Sequence, residues 1–143
     1  MLSVSVFVSH SWKHSNHYDK IKEWVFDDDW QVDGLPLVFR NTSVPKDSPI
    51  HHARNDRELA NAIFERIKAS DVVLIPTGMY STHSKWIKIE IWGVNKLKVP
   101  IVGVNPWGQQ RKSSVVAHHA KDVIGWKQSS IGNALWDYGN HGR

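Results

Sequence analysis

The run Ser70-Asp71-Val72-Val73-Leu74-Ile75-Pro76 decides the fold. Its apolar centre is rich in β-branched residues and bounded by a polar residue and a proline, which suits a short strand. It shows no apolar/polar alternation, so the strand should be buried on both faces, as in the interior of a parallel sheet. Immediately before it, Leu59, Ala60, Ile63, Phe64 and Ile67 recur at helical spacing, behind Asn55 and Glu58 placed as an N-cap and its capping-box acid. After it, a polar turn from Thr77 to Ser84 leads into a third helix carrying Trp86, Ile87, Glu90, Ile91 and Val94.

Further outward the same alternation continues. Val4 to Val8 reads as a first strand, and Tyr18, Ile21, Trp24 and Val25 place a first helix over Asn16 to Phe26. The acids Asp27-Asp28-Asp29 belong to the following loop, because a helix C-terminus disfavours negative charge. Leu35 to Phe39 is a second strand, followed by a loop from Arg40 to Arg54. Val99 to Val104 is a fourth strand, and a loop from Asn105 to Ser114 follows it. Val123-Ile124 suggests a short fifth strand, and Ile131 and Leu135, with Trp136, suggest a last helix. The expected architecture is α/β: a flavodoxin-like, doubly wound parallel sheet of about five strands with helices on both faces. A length of 143 residues fits a single domain, residues 1–143. In such sheets ligands bind outside the carboxyl ends of the strands, so the loops 9–15, 40–54 and 77–84 are the ones expected to carry function.

Composition narrows the chemistry. With no cysteine, thiol nucleophiles, disulfides and Cys-based metal sites are excluded, which suits a reducing cytoplasm. The apolar start lacks a basic n-region and is too short for a signal peptide or a membrane span. The net charge of +4 is dispersed among acids, so neither nucleic acid nor a membrane is an expected partner. No Gly-rich phosphate loop occurs, which leaves a bound nucleotide cofactor without support. His10, His14 and His17 fall at i, i+4 and i+7, but no fourth ligand accompanies them, so no metal is expected. The pairs His51-His52 and His118-His119 read as solvated polar positions.

Three stretches, in order, resemble the TIR family. Val6-Phe7-Val8-Ser9-His10-Ser11 is similar to the opening strand and polar loop of TIR domains. Glu58 through Ile75 resembles the helix that packs on their central strand, followed by that strand. Ser84-Lys85-Trp86-Ile87-Lys88-Ile89-Glu90-Ile91 resembles the family's Ser-x-Trp-x-x-x-Glu-aliphatic element, whose Glu is catalytic in NAD-cleaving members. The agreement covers residues 4 to 104, and the short TIR-like proteins of bacterial Thoeris antiphage systems are the nearest group.

The resemblance implies NAD as substrate, with no cofactor beyond it, and an ADP-ribose-derived signal read by a downstream effector. It also implies self-association through TIR contacts, set off by a trigger. Cleaving NAD requires stabilising oxocarbenium-like charge on the ribose while nicotinamide leaves as a neutral group, a task suited to a carboxylate. Glu90 would be that catalytic group, with Trp86, four residues earlier on the same helical face, walling the site. Ser9, His10, Ser11 and Trp12 would bind substrate at the end of the first strand, Arg40 would pair with the diphosphate, and Ser84 would contact substrate or cap its helix. Plainer readings stand beside these: Glu90 as a solvent-facing acid pairing with Lys85 or Lys96, Ser9 to Trp12 as an ordinary loop, and Arg40 paired with Asp47. Two other functions also stay open. One is a catalytically silent TIR interaction module. The other is an enzyme like the nucleoside deoxyribosyltransferases, which attack an N-glycosidic bond through a nucleophilic Glu.

Overall fold

The computed structural model describes residues 2–9, 15–43, 56–77, 84–105 and 114–140. Within them the chain runs β1 (Leu2–Val8), α1 (Ser15–Val25), β2 (Trp30–Val32), β3 (Leu35–Asn41), α2 (Asp56–Lys68) and β4 (Val72–Pro76). It continues through α3 (Ser84–Leu97), β5 (Ile101–Asn105), α4 (Ser114–His119), β6 (Asp122–Gly125) and α5 (Gln128–Gly139).

Among the described residues the sheet has six strands in the order β2-β3-β1-β4-β5-β6. All neighbours pair in parallel except β2, which lies antiparallel along the outer side of β3. The doubly wound, flavodoxin-like architecture is therefore present, with one strand more than the expected five. The extra strand is three residues long and joins β3 through Asp33 and Gly34, at φ of 51° and 79°. Positive φ at both positions is the geometry of a type I′ hairpin, for which Asp-Gly is a favoured pair. The strand was missed because three residues show no periodicity, although the turn that makes it is written in the sequence. The same brevity hid α4, whose six residues follow the expected loop. The acids Asp27 to Asp29 lie outside α1, as the helix dipole requires.

β4 is buried at all five positions, as its unbroken apolar run required. Alternate residues of the sheet feed two cores. On one face Val4, Val6, Val72, Leu74, Val102 and Val104 pack against Tyr18, Ile21 and Val25 of α1 and Ile131 and Leu135 of α5. On the other, Phe7, Val73, Ile75 and Ile101 pack against Ile63 and Ile67 of α2, Ile91 and Val94 of α3 and Val116 of α4. Asp71 joins β4 to the centre: its amide donates to the Ser5 carbonyl at 2.8 Å, and its Oδ2 accepts the Ser5 amide at 2.8 Å.

The last helix approaches the sheet through glycine. A Cβ on Gly139 would lie 2.6 Å from Val4 Cγ1 and 3.0 Å from Val72 Cγ1, both on buried strand side chains. Gly139→Ala should accordingly lower stability by about 1–3 kcal/mol, the usual range for overpacking a filled core. Urea denaturation with an unchanged m-value would show it.

Candidate functional site

The four central parallel strands end on one side of the sheet, and hydrogen bonds engage the polar groups at their carboxyl ends. The Ser9 amide extends the β1–β4 ladder by donating to the Leu74 carbonyl at 2.9 Å, and Ser9 is 1% exposed. Ser43, just past β3 and also buried, accepts the Val8 amide on its Oγ at 2.8 Å. Its own amide donates to Asn41 Oδ1 at 3.0 Å, and Asn41 Nδ2 donates to the Tyr18 hydroxyl of α1 at 2.8 Å. Beyond β4, Thr77 is fully buried, donates its amide to the Val104 carbonyl at 2.7 Å and hydrogen-bonds through its hydroxyl to Asn105. Ser9, Thr77 and Asn105 stand where an apolar strand run ends, and there side chains take over part of the pairing of backbone groups.

The α3 helix links β4 to its parallel neighbour β5 and so starts from this same edge. Glu90 is its seventh residue, about 9 Å along the axis from the first at 1.5 Å per residue. Helical Cα–Cβ bonds tilt toward the N-terminus, so the Glu90 side chain leans back toward the carboxyl edge. Glu90 is fully buried, at 0% exposure, on the stripe that also carries buried Ile91 and Val94. This overturns the solvent-facing reading. Helical periodicity places position 90 near the centre of the apolar stripe, where a carboxylate is costly to desolvate and is kept for a reason other than solubility.

The other expected site residues fall in three groups. Ser84 and Trp86 lie in the first turn of α3, although their side chains, with those of Lys85 and Ile87, are outside the described residues. His10, Ser11 and Trp12 lie wholly outside them, as does Asp47. Arg40 was expected just past its strand, but β3 continues to Asn41. Arg40 sits within it, exposed and opposite Ser5, four residues short of Ser9 along β1, or about 13 Å at the usual strand rise. The edge thus brings together Ser9, Ser43, Thr77, Asn105 and the start of the Glu90 helix. Ser43 and Asn105 were not among the expected site residues; Asn105 directly follows the apolar run ending at Val104, whereas Ser43, behind the polar Arg40-Asn41-Thr42, carries no such signal.

Of the three spaced histidines, His17 is buried in the first turn of α1, where its ring meets Trp126 edge-on at 5.9 Å. His10 and His14 lie outside the described residues. The clear titration shifts lie at the far end of α1. Lys22 is raised by its hydrogen bond and charge contact with Asp27, and Asp28 is held below the usual carboxylate range by the Gln128 amide and the Asp29 N–H. Among the described residues no helix is long and apolar enough to cross a membrane.

No protein of curated function matches the sequence. A solved structure that matches is a 3-dehydroquinate dehydratase-like protein from Bifidobacterium longum, 15% identical, covering 100% of this chain and 99% of that one with a TM-score of 0.48. A family model matches residues 7–111, a span containing Ser9, Ser43, Thr77, Glu90 and Asn105. The chain belongs to that family, described as the TIR-like domain of the Thoeris protein ThsB.

Proposed function

We propose that the protein is an NAD-cleaving enzyme of bacterial antiphage defence, acting in the cytoplasm and releasing an ADP-ribose-derived signal for a downstream effector. The observation that carries this reading is the fully buried Glu90 on an otherwise apolar stripe of the helix that starts from the polar carboxyl edge. Family membership supports it, because the Ser84-x-Trp86-x-x-x-Glu90 element lies inside the matched span.

In the proposed reaction the ribose C1′–N bond breaks and its electron pair leaves with nicotinamide, which is neutral on departure. The Glu90 carboxylate stabilises the positive charge developing on the ribose. It then accepts the proton of the water or hydroxyl that attacks C1′. Ser9 and Thr77, buried like Glu90, stand at the edge where the ribose and phosphates would rest and would meet them once the site opens.

Full enclosure of Glu90 adds a requirement. Substrate reaches the carboxylate only after the covering atoms move, so an opening step precedes chemistry. Self-association offers a driver for that step. Trp92, on the outer side of the helix that carries Glu90, is 51% exposed and meets Phe64 of α2 in a tilted ring contact at 5.5 Å, an apolar surface suited to a second copy. The test is incubation with NAD over a protein concentration series, with products identified by mass spectrometry. Nicotinamide release with a turnover per molecule that rises with concentration is expected. The second product's mass separates hydrolysis, cyclisation and conjugation. Absence of release at every concentration, with the trigger of an infected-cell lysate added, would favour the silent interaction module.

A further inference from the structure

At the opposite, amino end of β5 lies a cavity of about 360 Å³, bordered by Asn95 and Lys98 at the end of α3, His119 at the end of α4, and Lys121 ahead of β6. Pro100 and Ile101 form part of its apolar wall. We propose that this cavity is a second binding site, for a phosphate-bearing small molecule of nucleotide-fragment size. It lies a full length of β5 from the edge holding Ser9 and Thr77, and the proposal does not rest on the NAD reading.

The donor set points to an anion. Two lysines, a histidine and an asparagine amide border the cavity, and among the described residues no carboxylate lines it. Lys98 and Lys121 form neither an ion pair nor a side-chain hydrogen bond among the described residues. The acid nearest in sequence, Asp122, is engaged elsewhere, accepting the Val123 amide at 2.9 Å. The volume falls within the usual range of small-molecule sites, about 300–1,000 Å³, and the wall offers an apolar surface beside the cations, as a sugar or base would need.

A plainer account would have these lysines merely balance the negative ends of two helices. The backbone of Lys98 argues for more. The Val99 amide donates to the Val94 carbonyl at 3.1 Å, closing α3 in a Schellman turn, and Lys98 occupies the left-handed position with φ of 56°. Glycine takes that position without strain, whereas a side chain there is disfavoured. A lysine held in this conformation at the mouth of a basic cavity is a candidate for function rather than for stability.

The test is a titration of the intact protein with AMP and, separately, inorganic phosphate, followed by amide chemical shifts. It uses the native sequence, Lys98→Gly, Lys121→Ala, and Lys127→Ala as a control outside the cavity. Saturable shifts at Asn95, Lys98 and Lys121 are expected, weakened about tenfold by either cavity variant, as for loss of a charge-assisted bond, and unchanged by Lys127→Ala. Lys98→Gly should bind more weakly while melting at a higher temperature, an outcome that a capping role alone does not produce. Absence of saturable shifts with both probes would overturn the proposal. So would shifts confined to Ser9 and Thr77, or binding indifferent to both cavity variants.

Discussion

Glu90→Gln should lower the rate of nicotinamide release by at least ~10²–10³-fold, the scale of losing one preorganised electrostatic contact to a transition state. The substitution keeps the shape of the side chain and removes its charge, so the loss should fall on kcat while the protein stays folded. Glu90→Asp supplies the complementary arm. It keeps the charge but withdraws it by one methylene, and a misplacement of about 1 Å already costs on the order of 10²-fold where geometry matters. Equal activity in all three proteins, measured by single-turnover NAD cleavage, would remove Glu90 from the chemistry. A ribosyl adduct trapped on Glu90 would instead favour the covalent mechanism of the deoxyribosyltransferase type.

Leu135→Ala carries the largest expected effect on stability. Leu135 of α5 is fully buried in the core that α1 and α5 share with β1 and β4. Truncation removes its transfer free energy and leaves a cavity, together about 2–5 kcal/mol. For a chain of this size the melting temperature should fall on the order of 10 °C. Calorimetry checks the magnitude. A drop of a degree or less would mean that α5 is not part of the cooperative core. Leu135 lies on the face opposite α3, so the folded fraction of this variant should still cleave NAD if the Glu90 account holds.

Much of the fold was legible because its elements obey one period each. The unbroken run Val72 to Ile75 could only be a strand covered on both sides, and the stripes of α1, α2 and α3 identified the covers. Elements of fewer than two periods were not legible by the same means: β2 rests on the Asp33-Gly34 turn, and α4 has only six residues. The site was legible in part. Glu90 was marked by the resemblance of Ser84 to Ile91 to the TIR element, but residue type alone says that a helical Glu faces water. Only the packed structure shows position 90 enclosed with Ile91 and Val94. Ser43 and Asn105 become visible once the strands are laid side by side, because their role comes from strands that end on one side of the sheet. Arg40 shows the converse: one residue of uncertainty in a strand end decides whether a side chain stands at the edge or on the sheet surface.

The central claim is that NAD binds at the carboxyl edge with its ribose against Glu90. A crystal structure of the Glu90→Gln protein with NAD tests it most directly. The account predicts the nicotinamide ribose C1′ within about 3–3.5 Å of the residue 90 side chain, the separation of a near-attack pose, with Ser9 and Thr77 beside the sugar and phosphates. NAD seated elsewhere, with residue 90 still enclosed among Ile91 and Val94, would contradict it.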